Sequence, residues 1–455
     1  VSLTHEAALS PSAGRRFRAY TAKHLDEFTA RAGLAEDERL AARAVATVLP
    51  FRVNSYVVDE LIDWAAAPDD PIYRLTFPQA DMLPKEDVAR IADLLRKDAP
   101  KKEINQAANE VRARLNPHPA GQMDLNVPKL GPEDPLEGVQ HKYAETVLFF
   151  PKQGQTCHAY CTYCFRWAQF VGEPDLKFAS SEIDHLVDYL HHHPEVTSVL
   201  LTGGDPMIMG GGVLARYIEP LLKVETLESI RIGTKSLAYW PQRFVTDPDA
   251  DDTLRLFEKV VASGKNLAFM AHFSHPAEMA PDLVREAVRR VRDTGAVIRT
   301  QAPLIRTIND DPTVWESMWR THVRHGMVPY YMFVERDTGP QDYFAVPLAR
   351  AYDIFRDAYK NVSGLARTVR GPSMSATPGK VCVDGVTEVG GEKLFVLRFL
   401  QARDPELVAK PFFAKYDEKA TWLFDLEPGL GATHFPYETP PPADASDLVE
   451  DPAVL

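Results

Sequence analysis

The chain has 455 residues, 45% of them hydrophobic and 25% charged, with a formal net charge of -13. That make-up belongs to a globular protein with room for a catalytic domain of roughly 200 to 250 residues and sizeable extensions. An acidic balance without a Lys/Arg block excludes a basic nucleic-acid-binding stripe and points to a small-molecule partner. Apolar residues Leu25, Phe28, Leu34, Leu40, Ala44 and Val48 recur at helical spacing between Phe17 and Trp64, and further helices are predicted over 85–95 and 103–115. A Pro/Gly-rich stretch from Asn116 to Pro135 reads as a linker, so 1–135 is expected to be a helical extension with its linker. From Glu145 short β-rich runs (146–150, 196–201, 230–233, 267–273, 297–302, 328–334) alternate with helical segments. One helix is capped by Ser181, and others lie near 213–222, 251–263, 281–293, 313–324 and 347–359. Six βα units in series predict an α/β fold, a partial (β/α)6 TIM-like barrel over 136–362, with its chemistry at the C-terminal ends of the strands. Segment 363–437 holds two strand-like runs, Val381–Val383 and Lys393–Phe399, expected to close the barrel end. An acidic, Pro-rich tail over 438–455 shows no periodic apolar face.

Three of the four cysteines fall within Cys157-His-Ala-Tyr-Cys161-Thr-Tyr-Cys164, while Cys382 lies far downstream in an apolar run and reads as a buried hydrophobe. Three thiolates within eight residues suit one inorganic centre, and the C-x3-C-x2-C spacing differs from paired zinc-ribbon and four-cysteine ferredoxin arrangements. Three ligands on a four-iron cube leave one iron open; a zinc site completed by His158 or Cys382 is the alternative. Few, clustered cysteines fit a reducing cytoplasm. Neither a signal peptide nor a membrane span is expected, because no charged-then-apolar leader and no long apolar run is present.

The segments after the predicted strands are polar or glycine-rich. They are the cysteine loop, Thr202-Gly203-Gly204-Asp205-Pro206, Gly233-Thr234-Lys235-Ser236, His272-Phe273-Ser274-His275-Pro276, Thr300-Gln301 and Glu335-Arg336-Asp337. Glycines at a strand end permit close backbone approach to a ligand or a tight turn. His191-His192-His193 ends a helix, where imidazoles suit the dipole and solvent rather than a metal.

With Tyr163 before its last cysteine, the loop resembles that of the radical S-adenosylmethionine (radical SAM) enzymes. The strand ends together resemble the lysine 2,3-aminomutase family within them, over roughly Asp134 to Gly385. The residues that carry this are Asp134-Pro135-Leu136, His141-Lys142-Tyr143, the cysteines with Arg166, Gly203-Gly204-Asp205-Pro206, Arg231-Ile232-Gly233-Thr234, Pro241-Gln242-Arg243, His272 to Pro276, Gln301, Asn309-Asp310 and Pro329-Tyr330-Tyr331. The resemblance implies that Cys157, Cys161 and Cys164 bind a [4Fe-4S] cluster and that Gly203, Gly204, Asp205, Thr234, His272 and Gln301 serve S-adenosyl-L-methionine. It further implies that Arg166 binds a substrate α-carboxylate, which a planar guanidinium grips bidentately. An electron donor of flavodoxin or ferredoxin type and a homo-oligomer are also implied.

The family's pyridoxal 5'-phosphate would be anchored here by Lys380, with Lys142 on its phosphate. A competing alignment sets Ser373-x-Ser375 and Lys380-Val381 against a later segment of the family and leaves no anchoring loop. A second phosphate-binding basic residue of the family falls on Thr146. Two aspartates that grip lysine's distal ammonium fall on Arg336 and Ser373, which inverts the charge preference toward an acidic amino acid or another carboxylate. The expected function is a 2,3-aminomutase of a non-lysine amino acid, an acidic one among the candidates. The alternatives are a pyridoxal-independent radical isomerase, dehydrogenase or eliminase, and a metal-containing binding protein.

Overall fold

The computed structural model describes residues 17–131, 134–172 and 177–438; the acidic tail from 439 onward lies outside the described residues. Eleven strands form one sheet in strict chain order. They are β1 (Val139–Tyr143), β2 (Thr146–Phe149), β3 (Ser198–Leu201), β4 (Ser229–Thr234), β5 (Asn266–His272), β6 (Val297–Leu304), β7 (Val328–Val334), β8 (Arg370–Ser375), β9 (Gly379–Val389), β10 (Glu392–Ala402) and β11 (Pro411–Lys415). Strands β2 to β8 are parallel, and β1, β9, β10 and β11 pair antiparallel with their neighbours. Helices Ile183–His192, Gly211–Leu221, Ala250–Ala262, Asp282–Asp293, Pro312–Arg324 and Leu348–Lys360 make the crossovers, as parallel neighbours require. The two ends of the sheet curl toward one another. Lys142 on β1 donates to the Ala376 carbonyl just past β8, and Gln401 on β10 donates to Glu145 just before β2.

Alternation along the strands sets what each face carries. On β4, Ile230, Ile232 and Thr234 are buried while Ser229, Arg231 and Gly233 are half-exposed; on β6 the half-exposed set includes Arg299 and Gln301. One apolar cluster runs from Leu25, Val45 and Phe77 through Val147, Leu201 and Ile232 to Phe269, so the N-terminal extension shares its core with the barrel. A second cluster, with Val383, Phe395, Leu397, Phe412 and Trp422, fills the C-terminal sheet. No helix among the described residues is long and apolar enough to cross a membrane.

Three local expectations are corrected. The extension is not wholly helical, because Ala19–Thr21 and Arg52–Asn54 pair as short antiparallel strands. The helix expected from Ser181 starts at Ile183 with Glu182 at its N-cap, and the Ser181 hydroxyl instead lies 3.0 Å from the Glu182 carboxylate. A seventh parallel strand, β8, follows the six βα units. Its sequence Arg-Gly-Pro-Ser-Met-Ser has neither β-branched residues nor alternation, and its Gly371 is required because a Cβ would meet the Met332 carbonyl at 2.5 Å.

Candidate active site

The cysteine loop follows β2, and the N-terminal extension holds it from outside. Arg52 accepts from the Tyr160 amide at 2.8 Å, and Leu75 accepts from that of Thr162 at 2.9 Å. The Arg52 guanidinium donates to Thr156 Oγ1 at 2.7 Å, and the Asn54 amide donates to the Tyr239 carbonyl at 3.0 Å. Burial pushes the thiols of Cys157, Cys161 and Cys164 up, the last to about 12, and each is coupled electrostatically to at least one of the others. Three half-buried sulfurs that would repel one another as thiolates suit a cationic cluster that takes them in that form. The fourth-ligand roles weighed for zinc are not formed: His158 Nε2 lies 3.1 Å from Asp205, and Cys382 is buried in β9.

The Gly203-Gly204-Asp205 turn at the end of β3 is built against that loop. Gly203 has φ +136, and a Cβ there would lie 2.1 Å from the Gln155 side chain; on Gly204 it would lie 2.3 Å from the Thr156 carbonyl. Asp205 is buried and accepts from the Met207 amide at 2.9 Å, the Lys235 amide at 2.9 Å and Thr234 Oγ1 at 2.8 Å, with His158 beside it. Burial would raise its pKa, but the His158 contact and these hydrogen bonds hold the carboxyl below the usual range. The Asp205 carboxylate and the Thr234 hydroxyl are thus bonded to one another and join three strand ends.

Beyond β4, Lys235 forms a buried ion pair with Glu278 at 2.7 Å and lies 3.3 Å from Ser274 Oγ, which in turn meets Tyr163 Oη at 2.9 Å. Asn309 donates to the Ser274 carbonyl at 3.0 Å and to the Pro303 carbonyl at 3.1 Å. His272 Nε2 and Gln301 Nε2 lie 3.0 Å apart, so the amide donates to a ring nitrogen that carries no proton. Burial and the Lys235 charge lower His272 to about 4, which keeps it neutral at pH 7. His275 instead caps the short turn Pro276–Met279, accepting from the Ala277 amide at 3.3 Å.

A different chemistry fills the rest of the interior. Arg166 is buried over Phe150 (4.3 Å to the ring centroid) and Phe165 (5.0 Å), and Arg336 lies over the same Phe165 ring at 4.8 Å. Arg166 Nη1, Arg336 Nε and Ser373 Oγ are buried without a hydrogen-bond partner. Lys380 Nζ sits 4.4 Å from the centroid of Tyr331 and 3.3 Å from Gln401 Oε1. Burial, with Arg336, Arg403 and Lys380 around it, lowers Lys142 to about 6. Burial with Arg370 and Arg231 lowers Lys380 to about 7, and burial with Arg336 lowers Arg166 to about 9. The nearby acids do not compensate: burial pushes Glu335 well above the carboxylate range and raises Asp337 as well.

Sequence reasoning missed Glu278, Arg370 and Arg403 as parts of this interior, and it named Lys235 and Arg231 only within motifs. Lys235 and Glu278 are 43 residues apart, and Arg370 stands on the unexpected strand β8. The only signal was that each falls at or beside a strand end.

A parallel α/β barrel whose first parallel strand leads into a C-x3-C-x2-C loop, with a Gly-Gly-Asp turn packed on that loop, defines a radical SAM enzyme. The chain belongs to the lysine 2,3-aminomutase family of these enzymes. It is 31% identical over 391 residues to a putative L-lysine 2,3-aminomutase of Aquifex aeolicus, covering 86% of this chain and 91% of that one. It is 28% identical over 234 residues to the L-lysine 2,3-aminomutase of Fusobacterium nucleatum, covering 51% and 52% of the two chains. It is 26% identical over 210 residues to the glutamate 2,3-aminomutase of Clostridioides difficile, covering 46% and 47%. The chain therefore spans about half the length of the latter two relatives. Among solved structures, that of Streptococcus suis SuiB bound to precursor peptide SuiA is 11% identical, covering 60% of this chain and 56% of that one at a TM-score of 0.35, too distant to inform the site. No family model matches the chain.

Proposed function

We propose that the protein is a 2,3-aminomutase of an acidic α-amino acid such as glutamate or aspartate. The observation that carries this reading is the pair of guanidinium groups, Arg166 and Arg336, on one phenylalanine ring, each with a buried nitrogen that has no partner in the protein. Unsatisfied buried donors of this kind are costly unless a ligand completes them. Arg166 holds the α-carboxylate and Arg336 the distal carboxylate, with the unpartnered Ser373 hydroxyl as a further donor. A distal ammonium at Arg336 would be repelled and left desolvated, which argues against lysine even with Asp337 beside the guanidinium. A glutamate-acting relative within the same family supports the choice.

A [4Fe-4S] cluster on Cys157, Cys161 and Cys164 would supply the electron that splits S-adenosyl-L-methionine into methionine and a hydrogen-abstracting 5'-deoxyadenosyl radical. Pyridoxal phosphate, when bound, would carry the migrating amino group. Lys380 fits its aldehyde because a pKa of about 7 leaves much of the amine neutral and nucleophilic near pH 7. Lys142, lowered to about 6, is mostly neutral at pH 7 and would carry its charge only once an anion stabilises the ammonium. His272, neutral and joined to Gln301, lines the cofactor side without adding a charge. By fixing both carboxylates, Arg166 and Arg336 present the α and β carbons in one orientation to hydrogen abstraction.

A pyridoxal-independent radical isomerase, dehydrogenase or eliminase is the second reading. It is favoured by the position of Lys380 inside a strand ladder opposite Ser375, with its Nζ facing Gln401, rather than on a glycine-rich loop. The test is anaerobic turnover of the reconstituted protein with dithionite, S-adenosylmethionine and glutamate, aspartate or lysine in turn, read as 5'-deoxyadenosine and β-amino acid by mass spectrometry. The proposal expects a β-amino acid from an acidic substrate and none from lysine. Turnover of lysine with the acids inert overturns it, and 5'-deoxyadenosine with a deaminated or dehydrogenated product selects the second reading.

A further inference from the structure

This inference rests on the reading of Lys380 as the holder of pyridoxal phosphate. The site lacks one of the basic residues that the family resemblance assigns to the phosphate, since Thr146 stands there. Thr146 is buried, and its hydroxyl lies 3.5 Å from a terminal nitrogen of Arg231. The Nε of Arg231 is itself buried without a partner. Beside it Arg370 lies with its guanidinium 4.2 Å from the centroid of Tyr330 and 4.4 Å from that of Tyr331. Tyr331 is also the ring under the Lys380 amine. A guanidinium laid on an aromatic face keeps its N–H edge free for a planar or tetrahedral oxyanion. The nearby acid, Glu145, accepts from Gln401 instead. The arrangement around Lys380 is therefore two guanidinium groups with Glu145 as a carboxylate that acts on Lys380 and Arg231, which leaves an excess of positive charge for a phosphate ester. Arg231 belongs to a motif shared with the family, whereas Arg370 comes from β8, whose sequence gave no sign of a strand.

We propose that Arg231 and Arg370 form the phosphate-binding pair of this chain and replace the charge that Thr146 does not supply. Lys380 takes the aldehyde end of the cofactor on the same Tyr331 ring, so phosphate and aldehyde are read by separate groups. Recognition of the phosphate then depends on a strand remote in sequence from Lys142.

The test is cofactor binding by the full-length, cluster-loaded protein without turnover. Pyridoxal phosphate is titrated and followed by absorbance, and borohydride reduction with intact mass reads the trapped adduct. Pyridoxal, which lacks the phosphate, and inorganic phosphate as a competitor are run in parallel. Arg370→Gln and Arg231→Gln are expected to weaken pyridoxal phosphate at least tenfold and to change trapping of pyridoxal far less, only through the Lys380 proton, and Arg370→Lys is expected to retain part of the affinity. In wild type, inorganic phosphate is expected to compete with pyridoxal phosphate but not with pyridoxal. Circular dichroism and melting curves identify any variant that fails to fold, and Arg370→Lys then carries the comparison. Pyridoxal phosphate bound equally well by wild type and folded variants overturns the pair and leaves the cofactor reading standing. Wild type that traps neither pyridoxal phosphate nor pyridoxal overturns both.

Discussion

The two halves of the site treat charge in opposite ways. Around the cysteine loop the buried ionic side chains have partners: Asp205 with His158 and Thr234, and Lys235 with Glu278. Around Lys380 and Arg336 the cations bond chiefly to neutral oxygens or keep a nitrogen unpartnered, and they depress one another's proton affinity. Buried ions without partners are expensive, and the cost is met by pairing or by a ligand. The first half is prebuilt to hold a loop at fixed geometry whichever substrate arrives. On the proposed reading the second half is completed by anions.

The largest effect that would test the contrast is on the paired side. Asp205→Ala leaves His158, Thr234 and two amides without their acceptor, and removing one partner of a buried network typically costs about 3–5 kcal/mol. Chemical denaturation should show that loss, with a parallel fall in bound iron. An unchanged midpoint would mean that the carboxylate does not tie the strand ends together.

On the unpaired side, Arg336→Asp reverses the charge that faces the distal group. Truncating a buried charge pair is worth about 2–5 kcal/mol, so kcat/KM for the acidic substrate should fall by roughly 30- to several-thousand-fold, while Arg336→Lys retains part of it. Equal activity on acidic and neutral amino acids in the unaltered protein would remove Arg336 from substrate choice.

The proton balance gives a third measurement. Lys380 in the folded protein titrates near 7, against 10.5 for a free lysine. Between those values the unfolded chain binds more protons than the folded one, so stability should rise with pH. From pH 7 to 9 the Lys380 contribution is about 2 kcal/mol, and it should disappear in Lys380→Met. A bound phosphate ester without an aldehyde, such as pyridoxine phosphate, should flatten the same slope by stabilising the ammonium. Stability that falls over this range by an amount dependent on Lys380 would reverse the assignment of its environment.

The smallest effect returns to the paired side. Ser274→Ala removes the partner of the Tyr163 hydroxyl, a loss of about 1 kcal/mol, and should leave substrate preference unaltered. A changed ratio of acidic to neutral substrates would show that the two halves are not separable.

The barrel was readable because runs such as Val328–Val334 are rich in β-branched and aromatic residues and sit between amphipathic helices; that strand has the boundaries the sequence predicts. β8 was not readable, since Gly371 and Pro372 suppress every local strand signal and only its neighbours on either side hold it in the sheet. The cysteine loop announced itself by spacing. The network behind it did not: Lys235 and Glu278 meet only when two strand ends are brought together, and a buried ion pair leaves no periodic mark. Arg336 was legible as a departure from a pattern, but its direction required coordinates, because a salt-bridged surface arginine would have had the same sequence.

Thr338, two residues past Arg336, accepts a hydrogen bond from the Trp167 indole at 3.0 Å, and its hydroxyl proton is shared between the carbonyls of Leu115 and Asn116, while the Gly339 amide donates to Leu115 at 2.9 Å. Asn116 also donates to the Asp337 carbonyl at 2.6 Å. For anyone redesigning specificity, the loop bearing Arg336 is thus not a removable cassette. A graft into or out of this chain has to carry Trp167 and the Leu115–Asn116 segment with it, or the transplanted arginine will arrive on a backbone that has lost its fastening.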